Sequence, residues 1–173
     1  GVGDGWNVAL TTLGFERDHS DRPAGAKRPG GTFPQLLQTA RALGRTGDPI
    51  VRDALARMYT RWQVEHWVNK RAADLRAAGA PPGPEGSLGK LYWTEGMRMM
   101  SDAVSLVLGP RLFADTGEHA TYAWGEHVLG APGYRIAGGT DEIQRNILGE
   151  KFLGLPREPD PAKGLPYRDA RNR

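Results

Sequence analysis

Apolar residues recur at helical spacing through most of the chain, and glycine and proline gather between those runs. Asp4 or Gly5 can start a first helix, with Trp6, Ala9, Leu10 and Leu13 on one stripe, reaching at least Arg17. From about residue 20 to 31 the stretch carries Pro23, Gly25, Pro29, Gly30 and Gly31, which predicts a mobile loop or a break. Thr32 with Pro34 in the first turn opens a short helix through Leu36, Leu37, Ala40 and Leu43 that stops at Gly44. Asp48-Pro49 repeats the start signal. The helix after it carries Ile50, Val51, Ala54, Leu55, Met58, Tyr59, Trp62, Trp67 and Val68 to about Ala78. At 1.5 Å per residue it would span roughly 45 Å, a length suited to a bundle.

Residues 79–86 form a hard Gly/Pro break, after which Ser87 is placed to cap another long helix. Leu88, Leu91, Tyr92, Met99, Val104, Val107 and Leu108 mark it to Gly109-Pro110. A connector with Phe113, Tyr122 and Trp124, then Gly130-Ala131-Pro132-Gly133, leads to Gly138-Gly139-Thr140. Thr140 is a good N-cap, Asp141 and Glu142 place negative charge at the positive end of the helix dipole, and Ile143, Ile147 and Leu148 share a face. Gly154 and Pro156 can end that helix. The remainder, 156–173, reads as an extended or disordered tail. No alternating apolar and polar run of strand length occurs, and no repeat of 20 to 50 residues. The fold class is therefore all-α: an antiparallel, up-and-down helical bundle over residues 1–155.

Composition narrows the function classes. A chain of 173 residues suits one domain. Its 23 Lys and Arg stand against 20 Asp and Glu, interleaved along the sequence, which suits a solvated surface better than a nucleic-acid groove. The absence of cysteine excludes disulfides, thiolate metal sites and a Cys nucleophile. No apolar run reaches the roughly 20 residues of a membrane span and no signal-peptide pattern opens the chain, so a soluble cytoplasmic protein is expected. The opening Gly1 to Gly5 lacks an initiator Met and reads as a fragment or a processed chain. His19, His66, His119 and His127 form no metal-binding pair, so no metal is expected. No G-x-S-x-G elbow supports a serine triad.

Several residues carry two readings. Trp62, Trp67, Tyr92 and Trp93 can stack on a flat cofactor or simply pack. Arg57, Arg61, Lys70 and Arg71 are expected to dress a solvated face. Glu16-Arg17, at the end of an apolar helix and before a Gly/Pro-rich stretch, is either an acid/base group in a cleft or a surface ion pair of little worth. Gly138-Gly139-Thr140 frees backbone amides that could cradle a cofactor phosphate, or it is an ordinary capped helix start.

The motifs taken together resemble the C-terminal helical domain of the flavin-dependent acyl-CoA dehydrogenases. The resemblance is carried at the front by Gly3-Asp4-Gly5-Trp6-Asn7-Val8-Ala9-Leu10-Thr11-Thr12-Leu13 with Phe15-Glu16-Arg17. At the back it is carried by Gly138-Gly139-Thr140-Asp141-Glu142-Ile143-Gln144-Arg145-Asn146 and Leu153-Gly154-Leu155-Pro156. Pro84-Glu85-Gly86-Ser87-Leu88-Gly89-Lys90-Leu91 looks like a branch common in actinobacterial members. Membership implies FAD-dependent α,β-desaturation of an acyl-CoA thioester, in which a glutamate removes the α-proton. Many relatives carry that glutamate at the position of Gly138. The family's second solution matches Glu16, which the resemblance makes the catalytic base. Arg17 and Gly139 match substrate-site positions, and Thr140, Asp141 and Glu142 match flavin-contacting ones. Leu106, Val107, Leu108, Gly109 and Pro110 match a segment that reaches the cofactor of a neighbouring subunit.

The chain also departs from the family. The Arg-x-x-Phe-Gly motif whose Arg contacts a partner's flavin is missing, and Leu43-Gly44-Arg45-Thr46-Gly47-Asp48 stands there as a shorter connector. Leu106 and Pro110 replace the Gln and last Gly of Gln-x-Leu-Gly-Gly. Such erosion is expected where unlike subunits pair. The resemblance implies a homo- or hetero-oligomer, dimer or tetramer, acting on acyl-CoA with electron-transfer flavoprotein or a similar acceptor. The domains that would complete the FAD site are not in these residues, so the chain alone is expected to be inactive. The alternative is a non-catalytic assembly subunit of a heteromeric enzyme.

Overall fold

A computed structural model describes residues 3–17, 31–80, 83, 85–114, 124–162, 164–165 and 169, with the side chains of 13–17 outside the description. Among the described residues six α-helices follow in order: α1 (Gly5–Arg17), α2 (Phe33–Ala42), α3 (Pro49–Ala77), α4 (Glu85–Leu108), α5 (Gly125–Tyr134) and α6 (Asp141–Ile147). No strand occurs among the described residues, and the fold is all-α as the spacing predicts. The expected loop at about 20–31 lies outside the described residues except for Gly31, as do Tyr122, His19 and His119.

The start signals act through local hydrogen bonds. Thr32 and Gln35 form a capping box at α2, and the Thr32 amide donates to Gln35 Oε1 at 2.8 Å. Asp48 Oδ1 accepts from the amides of Ile50 and Val51 at 2.9 and 3.5 Å, and Pro49 takes the first position of α3, where its missing N–H costs nothing. With 29 residues, α3 is about 43 Å long.

The pair α3 and α4 is antiparallel, because contacts run from Arg45 with Leu106, through Arg61 with Leu91, to Asn69 beside Gly89. The core lies where α2 crosses this pair. Phe33, Leu36 and Ala40 of α2 meet Val51, Leu55 and Met58 of α3 and Met100, Ala103, Val104, Val107 and Leu108 of α4, closed by Leu112 and Trp124. Near 25 cal/mol per Å² of apolar area, this burial is what holds the three helices together. Helices α5 and α6 pack on α4 away from α3.

Three local expectations are corrected. Ser87 does not cap α4, which begins at Glu85 and takes Ser87 inside as a buried third residue. Residues Gly130 to Gly133 are not a connector. They lie within α5, Pro132 included, because His127 and Ala131 are buried and tertiary packing overrides the breaker composition. The buried face of α6 is polar: Asp141 and Gln144 point inward while Ile143 is exposed. A π-turn at Leu148–Phe152 then continues the helix, and Gly154 (φ +67°) turns the chain away.

Helix α1 differs from the rest. Residues 3–12 are all exposed, and Trp6 has 74% of its surface in solvent beside exposed Val8 and Leu10.

A buried-charge turn at a cleft between α4, α5 and α6

After α5 the chain turns through Arg135 to Gly139, with Gly138 at φ +67° and Gly139 at φ +93°. Both angles lie in the left-handed region where side chains are strained. At Gly139 space also matters, because a Cβ there would stand 2.9 Å from Gln144 Nε2. That amide donates to the Gly138 carbonyl at 3.0 Å and reaches the Gly139 carbonyl at 3.4 Å. A Cβ on Gly138 would meet nothing within 4 Å, so packing leaves that side of the turn open.

Helix α6 starts at Thr140, whose Oγ1 accepts from the Ile143 amide at 3.3 Å. Glu142 is exposed. Its own backbone N–H first, and then the Thr140 hydroxyl, hold its carboxyl below the usual range. Asp141 lies inside the bundle instead. Only 2% of it is exposed, and it accepts from Arg135 Nε at 2.6 Å, Thr94 Oγ1 at 2.9 Å and Lys90 Nζ at 3.3 Å. Burial alone would raise its pKa. The bonds from Arg135, Thr94 and Lys90 together outweigh burial and hold the carboxyl down. The sequence expectation that Asp141 serves the dipole end of its helix is thus incomplete, since its carboxylate is used inside.

Lys90 itself is nearly buried. Its ammonium donates to the Gly139 carbonyl at 2.7 Å and the Arg135 carbonyl at 3.2 Å, besides Asp141. Arg135 is the partly exposed member and lines a cleft of about 410 Å³ together with Thr140, Asp141, Glu142, Arg98 and Asp102. Arg98 is paired within α4, to Glu95 at 2.7 Å and Asp102 at 2.9 Å. Gln144 Oε1 is buried without a hydrogen-bond partner, an acceptor facing no donor among the described residues.

The other expected site residues are placed elsewhere. Glu16 and Arg17 close α1, and their side chains lie outside the described residues. Val107 and Leu108 are core residues at 3% and 1% exposure, because that stripe of α4 faces Leu36 and Val51 in the core cluster. Of the 106–110 segment, Leu106 and Pro110 are exposed and Gly109 is partly so. Arg45, from the connector that replaces the family motif, donates to the Leu106 carbonyl at 3.3 Å and pairs with Asp48 at 3.1 Å, so the two departing segments are neighbours.

Arg61 is not a solvated cation. It stacks on Tyr92 at 4.0 Å and donates to the Tyr92 and Leu91 carbonyls at 3.2 and 3.4 Å, strapping α3 to α4. Trp93 packs on Tyr134, whereas Trp62 and Trp67 are substantially exposed. Thr94 and Arg135 carry no role in the sequence reading, and Lys90 enters it only as part of the Pro84–Leu91 motif. The available sign was the i, i+4 pair Lys90 and Thr94, polar positions on a helix otherwise read by its apolar stripe.

The family model for the acyl-CoA dehydrogenase C-terminal domain matches residues 3–153. The chain belongs to this family. It is 33% identical to acyl-CoA dehydrogenase IpdE1 of Mycobacterium tuberculosis over 94% of the chain and 40% of that protein. It is 32% identical to IpdE1 of Mycolicibacterium smegmatis over 90% and 38%. The chain thus spans about two fifths of the length of these relatives. Among solved structures, the ChsE4-ChsE5 complex of Mycobacterium tuberculosis superposes with a TM-score of 0.63 at 22% identity, covering 89% of this chain and 42% of the other. The Tcur3481-Tcur3483 steroid ACAD G363A variant gives 0.64 at 22% identity, over 73% and 34%. These likenesses establish the acyl-CoA dehydrogenase C-terminal fold.

Proposed function

We propose that this chain is the C-terminal domain of an FAD-dependent acyl-CoA dehydrogenase that forms an α,β double bond in an acyl-CoA thioester, with Glu16 as the base that takes the α-proton. The reading rests on the family match joined to the glycine turn, where Gly139 has no room for a Cβ and Gln144 keeps a buried acceptor unpaired. The turn packs tightly on its inner side and presents Arg135, Thr140 and Glu142 at the adjoining cleft, polar groups that suit a polar ligand. FAD bound there would supply the acceptor for the hydride that leaves the β-carbon.

The chain's own residues then bind and orient. Thr140 and Glu142 present polar groups at the cleft, while Asp141, its carboxylate and its N–H both engaged inside, supports the turn behind them. Gly138, without a side chain to act as base, leaves space beside the thioester that admits a bulky or branched acyl group. Arg17 and Gly139 line the acyl site, and Glu16 reaches the α-carbon from the α1 side. Leu106, Gly109 and Pro110 extend toward the cofactor of a neighbouring subunit, like or unlike, and an electron-transfer flavoprotein or similar protein takes the electrons onward. The protein works in the cytoplasm; no described helix is long and apolar enough to cross a membrane. Alone, the chain lacks the rest of the site and does not turn over.

Glu16→Gln in the full-length protein should slow α-proton abstraction by at least about 100-fold. Unchanged turnover would remove Glu16 from the mechanism. A second reading, a non-catalytic subunit that supplies packing surface to an active partner, is favoured by the uncovered Trp6, Val8 and Leu10 of α1. It is the correct one if the full-length protein, purified with its partner, has a partner that carries flavin and itself carries none.

A further inference from the structure

The Gly138–Thr140 turn has an unusual support. Two left-handed glycines normally make a pliant segment, since glycine has the most backbone freedom to lose. Here the turn is fastened from inside the bundle by a lysine with 9% of its side chain exposed. Lys90 lies in the second turn of α4, and its ammonium, with three N–H donors, meets three acceptors: the carbonyls of Gly139 and Arg135 and Asp141 Oδ1. The first two bracket the turn and the third is the first residue of α6. One charged group therefore ties the approach to the turn, its middle residue and the helix beyond it, alongside the Gln144 amide on the glycine carbonyls and the Asp141 N–H on the Arg135 carbonyl.

We propose that Lys90 is the positioning residue of the Gly138–Thr140 turn, with Asp141 as the counter-charge that keeps its ammonium in place. Asp141 balances two cations, and Arg135 is the only one of them with substantial solvent access, at 37%. The Lys90–Asp141 pair is the sealed half and sets geometry, while Arg135 is the half that opens on the cleft. Thr94 bonds Asp141 but neither glycine carbonyl among its hydrogen bonds, so it supports the carboxylate without holding the turn. The catalytic consequence rests on the acyl-CoA dehydrogenase reading above. If Thr140 and Gly139 face cofactor and substrate, displacement of the turn costs rate, because misplacement of about 1 Å can cost about 100-fold.

The test compares Lys90→Met, Lys90→Gln and Thr94→Val in the full-length protein by hydrogen exchange, flavin absorbance and steady-state kinetics. Both Lys90 variants should speed exchange over residues 138–142 by about tenfold or more while the α2–α3 core keeps its protection. Using two of them keeps the test open if Lys90→Met does not fold. Thr94→Val should leave the turn's exchange within about threefold of wild type. In the enzyme, Lys90→Gln should lower kcat by about 100-fold with KM for acyl-CoA changed little, and the flavin band should shift in shape. The proposal is overturned if exchange at the turn is unchanged, if it rises uniformly across the chain, or if Thr94→Val loosens the turn as much as the Lys90 variants do. A wild-type protein without flavin or turnover would refute the functional reading, while the exchange result would still decide the role of Lys90.

Discussion

The hydrogen bonds of His127 fix its charge state, and that makes the fold sensitive to acid in a calculable direction. The ring is buried at 3% exposure on α5, with Nδ1 accepting the Gly31 N–H at 2.9 Å and Nε2 at 3.0 Å from the Met97 carbonyl. A carbonyl can only accept, so the proton sits on Nε2, and an amide N–H can only donate, so Nδ1 is bare. The imidazole is neutral, and a second proton would set two N–H groups against each other at Gly31. Burial pushes the pKa below 6.5; the Met97 carbonyl opposes this more weakly, and no charged side chain contributes. As pH falls, the unfolded chain takes its proton first, near pH 6.5. Stability from this site is therefore complete above about pH 6.5 and declines on acidification until the folded pKa is passed, at up to about 1.4 kcal/mol per pH unit. His127→Gln isolates the effect, since its amide offers an acceptor and a donor without titrating. Urea midpoints from pH 8 to pH 5 should show the wild type losing stability relative to His127→Gln as pH falls. At pH 8, His127→Leu should cost about 1–3 kcal/mol, because the Gly31 N–H is orphaned whereas the Met97 carbonyl keeps the Ser101 hydroxyl at 2.9 Å. A gap between wild type and His127→Gln that stays constant, or moves in favour of the wild type in acid, would refute the tautomer argument.

Three further stability predictions concern Gly31, which bonds His127, and the start of α3. A Cβ added at Gly31 would overlap the buried Trp124 ring, so Gly31→Ala should destabilise by at least about 1–3 kcal/mol in urea. Gly47→Ala, where a Cβ meets nothing within 4 Å, should stay within about 0.5 kcal/mol. Asp48→Ala removes the acceptor at the start of α3 and should cost about 1 kcal/mol by the same denaturation assay, with Asp48→Asn recovering most of it.

What was legible in the sequence divides along physical lines. The helices bounded by strong local chemistry, Thr32 with Pro34 and Asp48 with Pro49, lie where the caps predict, because a cap acts over three residues and needs no tertiary knowledge. Helix α5 was misread because Gly130, Pro132 and Gly133 are poor helix formers, and only burial of His127 and Ala131 against the bundle explains why the segment stays helical. Helix α6 was read correctly at its cap and wrongly at its face. Apolar periodicity points to Ile143, Ile147 and Leu148, whereas the buried positions carry a carboxylate and an amide. A periodicity argument assigns polar residues to solvent and has no means of recognising a polar residue buried with its partners. Lys90 and Arg135, 45 residues apart, become one group only in the folded chain.

The turn and α1, the two elements that carry the proposed chemistry, have opposite physical characters. Buried polar contacts hold the Gly138–Thr140 turn: removing Asp141 would leave the nearly buried Lys90 ammonium without its counter-charge, and removing Lys90 would leave the glycine turn without its inner donor. Helix α1, at whose end Glu16 lies, leaves Trp6, Val8 and Leu10 exposed. If Glu16 is the base proposed above, its reach depends on what covers α1, whereas the Gly138–Thr140 turn is already fixed by its own buried contacts. On the proposed reading, with Glu16 of α1 as base, a glycine at position 138 suits a turn that only positions, since its most open point needs no side chain.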